Sequence, residues 1–153
     1  MKGKTYKGFS LIEILVVVAL IVILATITIV AINPGKNFRD TRNAQRSADV
    51  NALLSAVTQY TTDGKELPAG ILECSTTDWK VGSPIGTSTA EGYIDLEPLL
   101  AGGGEGNDYM VSIPTDPSGG TAEDTSYVIC KIGTRVQIAA PRAEDGKEIA
   151  VRR

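Results

Sequence analysis

The sequence contains no histidine, which removes histidine-centred triads and histidine metal sites from consideration. Cysteine is nearly as scarce. Cys74 and Cys130 are the two present, neither a Cys-x-x-Cys pair nor the set of four that a zinc site takes. They suit one disulfide in an oxidising compartment, and the alternative is a pair of buried thiols. No nucleophile is paired with a base and no cluster has metal-ligand spacing. No enzyme, catalytic residue, cofactor or metal site is therefore expected. Tryptophan occurs once, at Trp79, expected as a packing anchor. At 153 residues with a formal charge of −3, the chain has room for one modest globular domain and lacks the positive balance of a general nucleic-acid binder.

What is abundant is apolar sequence at the amino terminus. From Phe9 to Ile32 the chain is apolar apart from Ser10, Glu13, Thr26 and Thr28. Roughly 20 apolar residues cross a bilayer core as a helix, so the run is long enough. A secretory signal has an apolar region of about 7–15 residues followed by a small-residue cleavage site; this run is longer and ends in Val30-Ala31-Ile32-Asn33-Pro34. The run is apolar on every face, which suits a membrane span and makes a helix of a modest soluble domain the least favoured reading. A plain single-pass anchor accounts for the length but not for Glu13, since an intramembrane acid is costly and usually has a partner.

Lys2, Lys4 and Lys7 lead into Gly8, Phe9, Ser10, Leu11, Ile12 and Glu13. This basic leader, glycine–phenylalanine junction and acid at the head of a long apolar helix resembles the type IV prepilin and pseudopilin signature. The resemblance implies that a prepilin peptidase cuts between Gly8 and Phe9 and methylates the new amino group of Phe9. It also implies that Glu13, fifth in the mature chain, offers its carboxylate to the terminal amine of a neighbouring subunit. Cutting at Gly3 would leave Gly8 at that fifth place, so Gly3 does not compete. Losing the three leader lysines would take the formal charge to −6. Positive charge favours the cytoplasmic side, but Lys36, Arg39, Arg42 and Arg46 follow the span. The leader type and the downstream cysteines, rather than charge, place the amino terminus inside.

Beyond the span, Asn33-Pro34-Gly35 predicts a kink or short break. Helical signals then resume, with Val50, Leu53, Leu54, Val57 and Tyr60 forming an apolar stripe. Arg39, Arg42 and Arg46 share another face with Asp40 and Asp49 alongside. That face is expected to be solvated, or in a filament to meet acids of the next subunit. Phe9 to about Tyr60 would measure roughly 75–80 Å as helix, so the second half must leave the membrane and pack. Thr62-Asp63-Gly64 ends it, with Gly64 as a left-handed stop. Residues 65–107 form a connecting segment with a short helix or extended piece at 93–100. Gly102-Gly103-Gly104-Glu105-Gly106 is a flexible turn, since it lacks the Lys-Ser/Thr ending of a phosphate loop. Residues 109–113, 127–132, 135–139 and 148–151 read as strands of an antiparallel meander, with a turn at Gly133-Thr134. The apolar stripe is expected to cover one face of that sheet. Asp108, Asp116, Glu123 and Asp124 lie around its loops; such acids suit calcium, but no EF-hand spacing is present and a solvated acidic surface is the default.

The expected fold is α+β and pilin-like: a long amino-terminal helix, its second half packed on a small antiparallel carboxy-terminal sheet. The expected organisation is leader 1–8, apolar helix 9–33, amphipathic helix 34–62, connecting region 63–108 and sheet 109–153. The family resemblance covers this layout and implies a structural subunit of a type IV pilus or related filament. Such a subunit resides in the inner membrane before assembly and on the cell surface or in the periplasm afterwards. Implied partners are other copies of the chain and related pilins, the peptidase and the membrane, and no nucleic acid. Two rivals stand: a pseudopilin of a type II secretion system, to which Ile113-Pro114-Thr115-Asp116-Pro117 adds a further likeness, and a monomeric membrane-anchored extracytoplasmic binding domain.

Overall fold

The computed structural model describes residues 8–100 and 109–153. In order, the elements are α1 (Leu11–Ile32), α2 (Pro34–Thr62), β1 (Ser83–Pro84), a single 3-10 turn (Glu97–Leu99), β2 (Val128–Ile132), β3 (Arg135–Ala139) and β4 (Ala150–Arg152). The chain divides into two compact units, one ending at Phe38 and the other spanning Arg39–Arg153. The leader lysines, the glycine-rich run at 102–106 and Asp108 lie outside the described residues.

The expected break falls at Asn33. Its backbone is left-handed, φ 46° and ψ 71°, a conformation asparagine tolerates better than most residues. The same side chain caps the next helix, its Oδ1 accepting from the Lys36 N–H at 3.3 Å. Pro34 then occupies the first helical position, where its missing N–H costs nothing. At the other end of α2, Gly64 has φ 79° and provides the left-handed stop.

The larger unit is built on α2. Val50, Leu53, Leu54 and Val57 are buried in one core with Ile85, Ile94, Leu96, Leu99, Tyr127, Ile129 and Ile138, and Tyr60 packs against its edge. These residues recur at helical spacing because one face of α2 covers one face of the sheet. The sheet is antiparallel throughout, in the order β1-β2-β3-β4. Gly133, with φ 59°, opens the two-residue turn between β2 and β3 as a tight hairpin requires.

Four expectations need correction. Residues 109–113 are not a strand: only Met110 pairs, through its N–H to the Leu99 carbonyl at 3.1 Å, while the Tyr109 ring packs edge-on against Tyr60 and Val111 is 90% exposed. The edge of the sheet is supplied instead by β1, from inside the connecting segment; Pro84 lacks an N–H and is confined to such an edge. The last strand begins at Ala150 rather than 148 and continues to Arg152, with Arg153 bonded to Val136 in both directions. Trp79 is half-buried and outside the core. Cys130 and Gln137 face each other across β2 and β3. From that face Cys130 bonds to Cys74 and Gln137 donates to the Trp79 carbonyl. The segment bearing Trp79 thus lies over the sheet surface away from α2, where the indole meets the Lys80 ammonium at 5.5 Å.

Candidate processing junction and assembly helix

Gly8, Phe9 and Ser10 precede α1 in non-helical conformation and all three are exposed, Phe9 at 80%. Ser10 is the N-cap, with extended backbone at φ −76° and ψ 145°. Ser10-Leu11-Ile12-Glu13 has the capping-box arrangement, and the Ser10 N–H donates to Glu13 Oε2 at 3.4 Å. A carboxylate at this position also meets the positive end of the helix dipole. Among the described residues no cation lies within ion-pair distance of Glu13. The long, weak cap contact leaves most of the carboxylate's bonding capacity free.

Helix α1 buries none of its 22 residues. It is the one helix among those described that is long and apolar enough to cross a membrane. Its two threonines do not break the apolar surface, because Thr26 and Thr28 donate their hydroxyls to the carbonyls of Val22 and Leu24, at 2.8 Å each. The exposed side chains are then aliphatic on all sides. Such a surface is stable only when lipid or other apolar helices cover it.

In the larger unit the arginines of α2 overturn the expectation of a solvated face or of pairing with another subunit. Arg46 is fully buried. It clamps Asp116 with Nε and Nη2 at 2.7 and 3.2 Å, and reaches Glu144 at 2.9 Å and Ser118 Oγ at 2.6 Å. Arg42 forks onto both oxygens of Glu144, at 2.8 and 2.6 Å; Arg39 reaches Asp145 and Lys147 reaches Asp40. Asn43 completes the tie, accepting from the Glu144 N–H and donating to its carbonyl. The paired guanidiniums hold the Glu144 carboxyl at about 2, well below its usual 4.5. Asp49 accepts from the buried Tyr127 hydroxyl at 2.7 Å; desolvation, then this bond, pushes the phenol far up. Asn43, Arg46, Val50, Leu53 and Val57 step by three or four, so the buried face of α2 is polar at its start and apolar at its end. The three-to-four spacing of the arginines was visible, but their acids lie 70 to 106 residues away.

Asp116 is thus occupied by Arg46 and is not available to a cation. Glu123 is exposed, and Asp124 bonds Tyr93 and the Ser126 N–H. Among the described residues no group of three acids or cysteines is placed to hold a metal. Cys74 and Cys130 are bonded, their Cα atoms 4.9 Å apart and 56 residues apart in sequence.

Residues 3–29 match the family model described as the prokaryotic N-terminal methylation motif. No curated protein and no solved structure gave a match.

Proposed function

Because the chain carries the N-terminal methylation motif, the class III leader of type IV pilins and pseudopilins, we propose that it is a prepilin whose mature form is a structural subunit of a type IV pilus or related filament. Cleavage between Gly8 and Phe9 frees the Phe9 amine for methylation. Helix α1 holds the subunit in the inner membrane until assembly, then buries its aliphatic surface among the same helices of neighbouring copies. Glu13 pairs with the Phe9 amine of a neighbour and sets their register, since either charge alone in an apolar bundle is costly. The larger unit, folded around α2 and the sheet, faces outward.

The observation that carries this reading is the motif at the head of a helix with no buried side chain. A lone anchor would explain the bare helix, but it has no use for the exposed Gly8-Phe9 junction or for an acid at the fifth mature position. The test is intact-mass measurement of the chain from membranes and from sheared surface filaments. A mass beginning at methylated Phe9, present in both fractions, is expected. An uncut chain confined to the membrane would return the anchor reading, and a mature chain confined to periplasmic filaments would assign it to secretion.

A further inference from the structure

Charge in the larger unit is segregated along the sequence. From Val81 to Cys130 there is no lysine or arginine, and there are eight acids. Six cations follow from Lys131 to Arg153, against three acids. Two of those six lie at the other end of the strands: Lys147 is paired with Asp40, and Arg142, just beyond β3, lies exposed beside Gly119, so one cation stands near the acids of that end. The other four are Lys131, Arg135, Arg152 and Arg153, none of which forms an ion pair among the described residues.

The fold converts this segregation into two opposite ends. Lys131 is the last residue but one of β2, Arg135 opens β3 across the hairpin, and Arg153 is bonded to Val136 beside β4. Together with Thr58 and Thr61 of α2 they line a groove of about 600 Å³. Glu66 is the acid in its lining, so the lining cations outnumber it three to one; Glu73 flanks Lys131 through a backbone bridge and Asp63 shares a neighbouring cleft with Arg153. The acids gather at the other end of the same strands. Segment 85–95 is bonded to segment 121–125 through Thr87 N–H to the Ala122 carbonyl, Ser88 N–H to the Glu123 carbonyl and Thr125 N–H to the Ile85 carbonyl. This brings exposed Glu91, Asp95 and Glu123 onto one shoulder just before β2 begins. No cation lies on either segment.

We propose that the groove lined by Lys131, Arg135 and Arg153 receives the acidic shoulder, Glu91, Asp95 and Glu123, of a second copy of this chain. The inference rests on the filament-subunit reading and specifies a contact for it. Because the two surfaces differ and lie at opposite ends, each copy offers one and accepts the other. Such a head-to-tail contact is heterologous and propagates instead of closing as a dimer. Its charges select the partner and its orientation, and the contact weakens with salt.

The test uses the full-length chain in cells. Thr134→Cys places a thiol in the groove and Ala122→Cys one on the shoulder; Cys74 and Cys130 are already bonded, so a short bis-maleimide reaches the introduced thiols alone. The double variant should give dimers and higher multiples, and each single variant neither, unless the two are co-expressed. Adding Arg135→Glu should lower the yield roughly tenfold or more, as like charges meet at the interface. Adding Arg135→Gln, the milder change on the same exposed side chain, should lower it less. Absence of multiples overturns the contact, as does a yield indifferent to Arg135→Glu, or an adduct of the Thr134→Cys chain with a different protein. The subunit reading is scored separately, by whether the chain is present in sheared filaments. Filaments without cross-links sink the groove alone, and cross-links in membranes without filaments uphold it while the subunit reading fails.

Discussion

Two carboxylates of similar chemistry do different work because their surroundings differ. Glu13 has a weak local cap and, among the described residues, no cation beside it. A capping contact is worth about 1 kcal/mol, whereas a buried ion pair broken on one side costs about 3–5 kcal/mol. Glu13→Ala should therefore still insert and still be cut after Gly8, yet be depleted in sheared filaments relative to the membrane pool. Glu13→Gln keeps the cap acceptor and removes the charge, so if it assembles like the parent, capping is all Glu13 does. Gly8→Val, in contrast, should stop at the processing step, visible as the uncut mass. Glu144 lies at the other extreme, gripped by Arg42 and Arg46. Its folded pKa, about 2, is below the ordinary 4.5, so the folded state binds that proton less readily than the unfolded chain. The stabilisation is complete above roughly pH 5 and is lost as pH falls towards 2. Thermal melts of the parent and Glu144→Gln should differ most near neutrality and converge in acid; a gap independent of pH would count against the pairing. Removing Arg46 leaves the buried Asp116 carboxylate unpaired, and Arg46→Met should cost about 3–5 kcal/mol in urea unfolding. Arg39→Met, at an exposed pair, should cost no more than about 1 kcal/mol.

At the scale of elements, the connecting segment is held by two devices. The Cys74–Cys130 bond closes 56 residues, which on the chain-entropy account stabilises the fold by about 4 kcal/mol. Cys74→Ser with Cys130→Ser should lower the melting temperature and open the chain around Trp79 to protease before α2 is touched. Close backbone packing is the second device. A Cβ on Gly86 would lie 2.1 Å from the Glu123 carbonyl oxygen, so the two segments must part to admit one. Gly86→Ala should destabilise by about 1–3 kcal/mol or more, read by denaturant midpoint, although the glycine sits in a loop that looks tolerant. An unchanged midpoint would mean the segments are not so closely apposed.

For the whole molecule, the division at Phe38 has an energetic meaning. Helix α1 contributes no buried side chain, while the unit Arg39–Arg153 has its own core, its own disulfide and its own ion-pair network. Removing residues 1–33 should then leave a soluble monomer that melts cooperatively and retains the disulfide. Light scattering and calorimetry would check this; aggregation or a broad melt would show that α1 is needed for the fold and not only for the membrane.

Much of this was legible from the chain alone because it depends on neighbours in sequence. Gly8, Phe9 and Glu13 lie within six residues, and the span is a matter of composition and length. The stop at Gly64, the break at Asn33, the stripe from Val50 to Tyr60 and the hairpin at Gly133 all follow from local geometry. Four features required the tertiary structure. The arginines of α2 are buried because acids near residues 116 and 144 are brought beside them, and no helical period reveals a partner so distant. Residues 109–113 form a short apolar run that stops at Pro114 and reads like a strand, but the edge they would occupy is taken by Ser83 and Pro84, too short and too proline-marked to be read as one. Trp79 lies outside the core because the disulfide carries its segment to the other face of the sheet. The basic groove and acidic shoulder exist only once the strands place residues 91, 123, 135 and 153 at opposite ends. Local pattern decides which elements form, whereas the pairing of charges and edges is decided by contacts between residues far apart in the chain, available only after folding.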